Sequence, residues 1–425
     1  MSKYFKPISI SLSPNVEKDD LHLALNLIVR PWLWKKGKAI NEIEDKFKKY
    51  LGVKYAFSFN SGRSAFYAIL KALELEKGSG VLLQAFTCNA VPNPVLWADL
   101  EPIYVDCNKG DYNISINDLK AKITTKTRVV VVQHVFGQPC NMDQIRAVCA
   151  ENPNLILIED CAHSLGAEFN GIKVGSHSKA GFFSFSRDKI ISSVYGGMAV
   201  TNDEEIGKNL EKLQKEFGQP SFCWTWQQIW HPILLHYLIL PVYNFLDLGK
   251  IFLVFSQWFH ILSKAVSWKE KKGQRPDYFP KALPNALAMM ALNQFNKLEK
   301  FNGHRQKIAE FYYNELKETG FVLPPRIENT KNVFLRFTIN HKKSHDIIYE
   351  AWHKQNILLG DWYTTPIAPF DTKIEDIKYT VGSCQNAEDM AKITLNLPTH
   401  INISLKDAQR IVSFLKNFIS KKNAN

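Results

Sequence analysis

From Lys54 to Asn202, short apolar runs alternate with stretches whose apolar residues recur at helical spacing. That is the pattern of an α/β layer structure around a mostly parallel sheet. The runs Tyr55–Phe59, Gly80–Gln84, Pro102–Asp106, Arg128–Gln133, Leu155–Glu159, Gly181–Phe185 and Gly197–Thr201 predict strands, and Ser64–Glu76 and Met142–Glu151 predict helices between them. From Leu283 the apolar positions Leu292, Phe295, Leu298, Phe301, Tyr313 and Leu316 predict one long helix that carries the chain into a second unit. That unit holds a strand over Val333–Ile339, a helix after Ser344 and a final amphipathic helix over Leu405–Ile419. The predicted division is a large domain over residues 1–285 and a smaller C-terminal α+β domain over 286–425.

The alternation stops after Gly218. Residues 222–262 are dense in Trp, Phe, Leu, Ile and Tyr, with almost no charge between Trp224 and Phe245. Pro232, Pro241, Asp247, Gly249 and Lys250 interrupt this segment, so no uninterrupted run approaches the roughly 18–20 residues that a spanning helix needs. Lys264, Lys269, Lys271, Lys272 and Arg275 follow directly. Two readings fit equally: peripheral contact with an anionic membrane surface through residues 222–275, or a buried helical insertion or dimer contact.

Composition narrows the class. The 425 residues are 45% hydrophobic and 22% charged, which is globular and long enough for two domains. A net charge of +12 favours acidic partners, such as a nucleotide-linked substrate, nucleic acid or an anionic lipid surface. The chain shows no zinc finger, no RNP-like strand and no basic tail beyond Lys421-Lys422, so nucleic acid is not expected. The N-terminus Met1-Ser-Lys-Tyr-Phe-Lys-Pro7 has no basic region leading into an apolar signal core, which predicts a cytoplasmic protein. Seven cysteines lie scattered without metal-ligand spacing, so reduced thiols and no bound metal are expected.

Two residues carry the candidate chemistry. The run Leu155-Ile-Leu-Ile-Glu159-Asp160 delivers a carboxylate at a strand end, where α/β folds bind ligands. Lys189 follows the strand Gly181–Phe185 in a polar turn, where its amine can form an imine with a carbonyl. An acid for a ring nitrogen and a lysine for a carbonyl together suggest pyridoxal phosphate chemistry. Taken singly, an Asp after a strand is a routine helix cap and a lysine a solvated charge. Phe59-Asn60-Ser61-Gly62-Arg63-Ser64 reads as strand, small-residue turn and helix start, a geometry whose free N–H groups bind phosphate. Ser61 or Ser64 equally serves as a plain helix cap.

The order of these pieces carries a resemblance. After the phosphate turn come Ala85-Phe-Thr-Cys88, Pro102-Ile-Tyr-Val-Asp106, His134-Val-Phe-Gly137-Gln-Pro139, Glu159-Asp160-Cys-Ala-His163-Ser-Leu-Gly-Ala167 and Gly171-Ile-Lys-Val-Gly175. Phe183-Ser184-Phe185 with Lys189 and Gly196-Gly-Met-Ala-Val-Thr-Asn202 complete the set. This resembles the DegT/DnrJ/EryC1/StrS family of sugar aminotransferases, from about Trp34 to His400 with the apolar segment excepted. The resemblance implies a fold-type I pyridoxal phosphate enzyme, a homodimer that moves an amino group from an amino-acid donor, glutamate, to a keto sugar on an activated carrier. It implies Lys189 as the Schiff-base and proton-shuttling lysine, Asp160 at the pyridine nitrogen and His163 near the phenolic oxygen. Ser184 and the Gly62-Arg63 turn then hold the phosphate. The family's dehydratases carry histidine in place of this lysine, so Lys189 argues against dehydration; a membrane-surface or regulatory protein without turnover is the other alternative.

The chain also departs from the family pattern. Arg63 stands where Thr is usual, and Cys88 where an aromatic covers the cofactor face. The Gly-Tyr-Asn-Tyr-Arg region is here Leu283-Pro-Asn285-Ala-Leu287, which keeps an asparagine for the partner's phosphate and loses an arginine on the substrate side.

Overall fold

The computed structural model describes residues 6–423, so Met1–Phe5 of the expected leaderless terminus lie outside it, as do the side chains of Lys421-Lys422. Seven strands form the central sheet: β1 (Tyr55–Phe59), β2 (Gly80–Gln84), β3 (Glu101–Val105), β4 (Thr127–Gln133), β5 (Ile156–Asp160), β6 (Ala180–Ser184) and β7 (Gly197–Thr201). Their spatial order is β1-β7-β6-β5-β4-β2-β3, and only β7 runs antiparallel to its neighbours. The sheet is therefore mixed and mostly parallel, as its continuous apolar strands require when both faces are covered. Pro102–Asp106 and its neighbours shift by one or two residues, within the reach of a pattern that marks runs rather than ladder ends.

Helix α1 (Gly62–Ala72) buries nearly every residue against the sheet, with Phe66 stacked on Phe182. Helix α2 (Glu204–Phe217) covers the same side near β1. The expected long helix is two: α5 (Asn285–Phe295) and α6 (Leu298–Leu316), separated at Asn296-Lys297. Residues from Ala286 to Leu298 pack into the core beneath Phe183, Phe185 and Val200. Along α6 the packing passes to a separate cluster, in which Ile308 joins Ile8, Phe337, Ile347, Leu395 and Ile411. Periodicity alone could not show this, since α6 stays apolar on one face across the change. The second unit holds an antiparallel pair, β8 (Phe337–Asn340) with β9 (Thr394–Leu397), covered by α7 (Ser344–Gln355) and α8 (Leu405–Asn423). The expected strand at Val333–Ile339 thus begins later; Val333 and Leu335 join the larger core instead.

The apolar segment folds as α3 (Phe222–Leu234), a widened turn over Leu235–Ile239 and α4 (Leu248–Trp258). Trp224, Ile229 and Ile233 enter the main core, so the first half of the segment is interior. α4 is different: of its eleven residues only Gly249 and Ser256 are buried. No helix among the described residues is long and apolar enough to cross a membrane.

Candidate active site

A cavity of about 350 Å³ opens at the C-terminal ends of the parallel strands, between the central sheet and a loop from the second unit. The parallel topology explains its place: β5 and β6 end side by side there, and their following loops turn into the crevice. Asp160, His163, Ser184, Lys189, Gly62, Arg63 and Cys88 all line it. Seven of the eight residues expected at the cofactor are thereby brought together from positions over a hundred residues apart.

Asp160 is fully buried, and its Oδ1 accepts from the Ala162 N–H at 2.9 Å. Burial raises its pKa to about 6, while the Ala162 N–H and the charge of Lys189 pull the other way. Burial also lowers Lys189, to about 8, against the upward pull of Cys88, Asp160 and Asp188, and the charge of Arg336 adds to the fall. An acid raised and an amine lowered within one cavity are a pair whose charges and protons are poised for exchange. The Lys189 carbonyl accepts from Asn15 Nδ2 at 2.6 Å, which fixes the backbone of the loop.

His163 lies stacked between Phe136 and Trp362, with ring centroids 5.9 and 5.5 Å away. Burial first, then the charges of Lys189 and Arg336, hold its pKa well below the ordinary value. Its Nδ1 accepts from the Phe136 N–H at 3.3 Å, so the neutral ring carries its proton on Nε2. At the other end of the cavity Ser61 caps α1 by accepting from Ser64 N–H at 3.0 Å, the plain capping role. That cap leaves the N–H groups of Gly62 and Arg63 without a carbonyl partner among the described residues, beside Ser184 and Ser186, whose hydroxyls lie 3.0 Å apart. Gly62 cannot be larger, because a Cβ there would lie 2.9 Å from Ser184 Cβ. Helix-start N–H groups plus two hydroxyls form an anion cradle.

Arg63 and Asn285 have side chains engaged away from this cavity. The Arg63 guanidinium turns out of the cradle to a buried ion pair with Glu270 and a bond to Ala265 O at 3.2 Å, so it supplies its N–H to the turn and its charge elsewhere. Burial pulls it down, but the Glu270 carboxylate more than offsets this and keeps the arginine charged. Asn285 is not in the cavity: its Nδ2 donates to Leu33 O at 2.7 Å and its Oδ1 accepts from Ala39 N–H at 3.1 Å. Within its own chain the amide ties the 33–39 turn.

Trp362, Tyr363 and Arg336 were not visible in the pattern. Trp362 and Tyr363 sit in an aperiodic Gly/Pro-rich loop, 359–369, which pairs with the sheet side through Thr87 N–H to Pro366 O at 2.9 Å. Lys189 Nζ lies 4.8 Å from the Trp362 ring, and the buried Arg336 guanidinium stacks on that ring at 3.5 Å. The available sequence signal was two aromatics beside Asp361 in a turn-rich loop. Beneath the cavity His134, Glu159 and Cys161 also converge. Glu159 there accepts from Gly175 N–H, His177 N–H and Ser178 Oγ at 2.8–2.9 Å and from His134 Nε2 at 3.1 Å, which satisfies the carboxylate and braces β5.

The family model of the DegT/DnrJ/EryC1/StrS aminotransferase family matches residues 14–241 and 267–416. The chain belongs to this family. It is a pyridoxal phosphate-dependent aminotransferase. GDP-perosamine synthase of Caulobacter vibrioides is 25% identical over 95% of this chain and 96% of that protein. A UDP-N-acetyl-3-dehydro-alpha-D-glucosamine 3-aminotransferase of Acidithiobacillus ferrooxidans is 27% identical over 86% of this chain and 84% of that one. Among solved structures, Helicobacter pylori PseC, an aminotransferase involved in pseudoaminic acid biosynthesis, superposes with a TM-score of 0.75 at 21% identity, covering 98% of this chain and all of that one. The match through residue 241 corrects the extent of the insertion: α3 belongs to the family fold, and only 242–266 is additional.

The residues present fit the cofactor. A buried acid whose charge lacks a cation in direct contact suits a protonated ring nitrogen, and the cradle of free N–H groups and hydroxyls suits a phosphate.

Proposed function

We propose that this aminotransferase moves an amino group from glutamate to a keto sugar carried on a nucleotide or a related activated carrier. The observation that carries it is the Asp160–Lys189 pair, facing one cavity with its pKa values displaced toward each other. Pyridoxal phosphate, when bound, supplies an electron sink for the carbon that loses its proton. Asp160 would hold negative charge toward the ring nitrogen, Ser184 with the Gly62 and Arg63 N–H groups would hold the phosphate, and His163, whose Nε2 lies 3.5 Å from Tyr363 Oη, would stand near the phenolic oxygen, with Cys88 toward a ring face that it cannot stack on. Lys189 Nζ would take the proton from the donor carbon and return it to the adjacent one, and its lowering to about 8 would bring the neutral amine within reach at mildly alkaline pH. Lys189 inside the cavity favours amino transfer over dehydration.

The curated relatives act, by their names, on GDP- and UDP-linked sugars, and the excess of positive charge here suits such an anionic carrier. The same reading includes a homodimer on the cytoplasmic side of a membrane, touching that membrane through the outward-facing part of residues 222–275, the α4 half. Purified protein with pyridoxal phosphate and glutamate should release 2-oxoglutarate in stoichiometric amount, and Lys189→Ala should abolish both release and the visible absorbance of the bound cofactor. A panel of keto nucleotide sugars should then restore turnover. If glutamate reacts and no sugar accepts the amine, the acceptor class is wrong while the amino-transfer chemistry stands.

A further inference from the structure

Helix α4 is inside out. Its buried positions are Gly249 and Ser256, while Ile251, Phe252, Val254 and Phe255 are exposed and Trp258 is 72% exposed. Gly249 is in contact because nothing larger fits: a Cβ there would lie 2.3 Å from Ile239 O. At 3.6 residues per turn, Ile251, Phe252, Val254, Phe255, Trp258 and Phe259 sweep an arc of about 160° on the outer side. Exposed Leu246 and Phe245 extend the patch on one end, and Phe259 with Ile261 on the other. A contiguous aromatic face of this kind marks a surface that something covers. It lies within 242–266, the stretch the family model passes over, so the common fold does not require it.

Charge selects the occupant. Residues 222–277 carry the cations Lys250, Lys264, Lys269, Lys271, Lys272 and Arg275 against three acids, Asp247, Glu270 and Asp277. The acids are spent internally, Asp247 on Lys250 at 2.7 Å, Asp277 on Lys269 at 3.3 Å and Glu270 in the buried pair with Arg63, and Lys271 pairs with Asp371. Lys264, Lys272 and Arg275 are exposed and have no carboxylate partner among the described residues. An anionic bilayer suits the aromatic arc together with exposed Lys264, six residues past Trp258: fluid chains conform to the apolar face, and headgroups meet that lysine. Eleven residues reach only about 16 Å, so the helix lies along the interface and does not cross it.

We infer that the outer face of α4 docks this enzyme on an anionic lipid surface, with Phe255, Trp258 and Phe259 entering the headgroup boundary. This rests on the membrane-contact part of the proposed function and names its partner and its contact residues. The same segment then runs straight into the wall of the cavity: Ser263 O accepts from Arg187 at 2.6 Å, Lys264 O from Tyr195 Oη at 2.5 Å, and Ala265 and Val266 line the cofactor pocket. Docking therefore holds the active site within a few residues of the lipid.

The test is co-sedimentation with vesicles of phosphatidylcholine alone and of phosphatidylcholine with phosphatidylglycerol, using the full chain loaded with pyridoxal phosphate and the triple variant Phe255→Ser, Trp258→Ser, Phe259→Ser. The wild type should partition to the anionic vesicles at least about tenfold more strongly than to neutral ones, and the triple variant should lose that partition. Its glutamate half-reaction in free solution should be unchanged, which separates this result from any failure of the amino-transfer reading. Equal sedimentation of both forms overturns the inference, as does absence of vesicle binding by the wild type. A triple variant that changes oligomeric state by sedimentation velocity while still binding vesicles overturns it in favour of a second copy.

Discussion

Asp160 shows the cost of preparing a site for a charged ring. Its pKa of about 6 against an ordinary value of 3.8 means that the folded, cofactor-free protein resists ionising it. The sign follows from the direction of the shift. The penalty is absent below the unfolded value, grows through the window from 3.8 to about 6 and is complete above it. Asp160→Asn should therefore stabilise the cofactor-free protein near neutral pH by up to about 3 kcal/mol, the gain shrinking as pH falls towards 4, while weakening pyridoxal phosphate binding. Denaturant titrations of both proteins at two pH values, with and without cofactor, check all three signs. A loss of stability without cofactor would show that the carboxylate is structural. Asp160 was legible as a candidate because a strand-end acid is a local feature; the Trp362 and Tyr363 that line its cavity were not, since they come from far along the chain.

At the scale of elements, the strap from Ser263 to Lys272 decides how the phosphate turn is held. Glu270 is fully buried, accepts from Ser267 N–H at 2.9 Å and pairs with Arg63, and its carbonyl accepts from Asn93 at 2.8 Å. Removing one partner of such a pair strands the other charge. Glu270→Ala should thus destabilise the fold by about 3–5 kcal/mol, whereas the double variant Arg63→Met, Glu270→Leu should recover most of the loss. Urea unfolding midpoints of the two variants test it, and equal losses would mean that the strap is anchored by Asn89 and Asn93 instead. Arg63 read as a phosphate ligand from its neighbours in sequence; its true partner lies 207 residues away, on a strap whose sequence advertises only surface lysines.

For the whole molecule, the cavity belongs to neither core alone. Strand ends and the turn after β6 supply Asp160, Ser184 and Lys189, while the loop with Trp362 and Tyr363 comes from the C-terminal part of the chain and packs with Ile367, Ile377 and Met390 into the same core as Phe66 and Phe86. Ligand binding should consequently stabilise the chain as one unit. Pyridoxal phosphate at about a hundred times its Kd should add about 2.7 kcal/mol and raise a single thermal transition. Calorimetry that resolves two transitions, only one of them shifted, would show the C-terminal unit melting independently.

Taken by itself, the sequence determined what depends on near neighbours. Apolar runs and helical spacing set the strands and most helices, and the ordered motifs around Asp160 and Lys189 identified the family and its cofactor, because those residues act in local turns that chain order preserves. Tertiary structure decided what depends on meetings across the chain. It tied the Asn285 amide to the 33–39 turn, gave the Arg63 guanidinium to Glu270 and supplied Trp362 and Tyr363 as unforeseen walls, with Arg336 stacked on Trp362. The apolar segment shows the physical reason most plainly. Its residues are alike in hydropathy along the chain, yet α3 is interior and α4 faces outward, because only the folded body determines which apolar side chains find a core to enter.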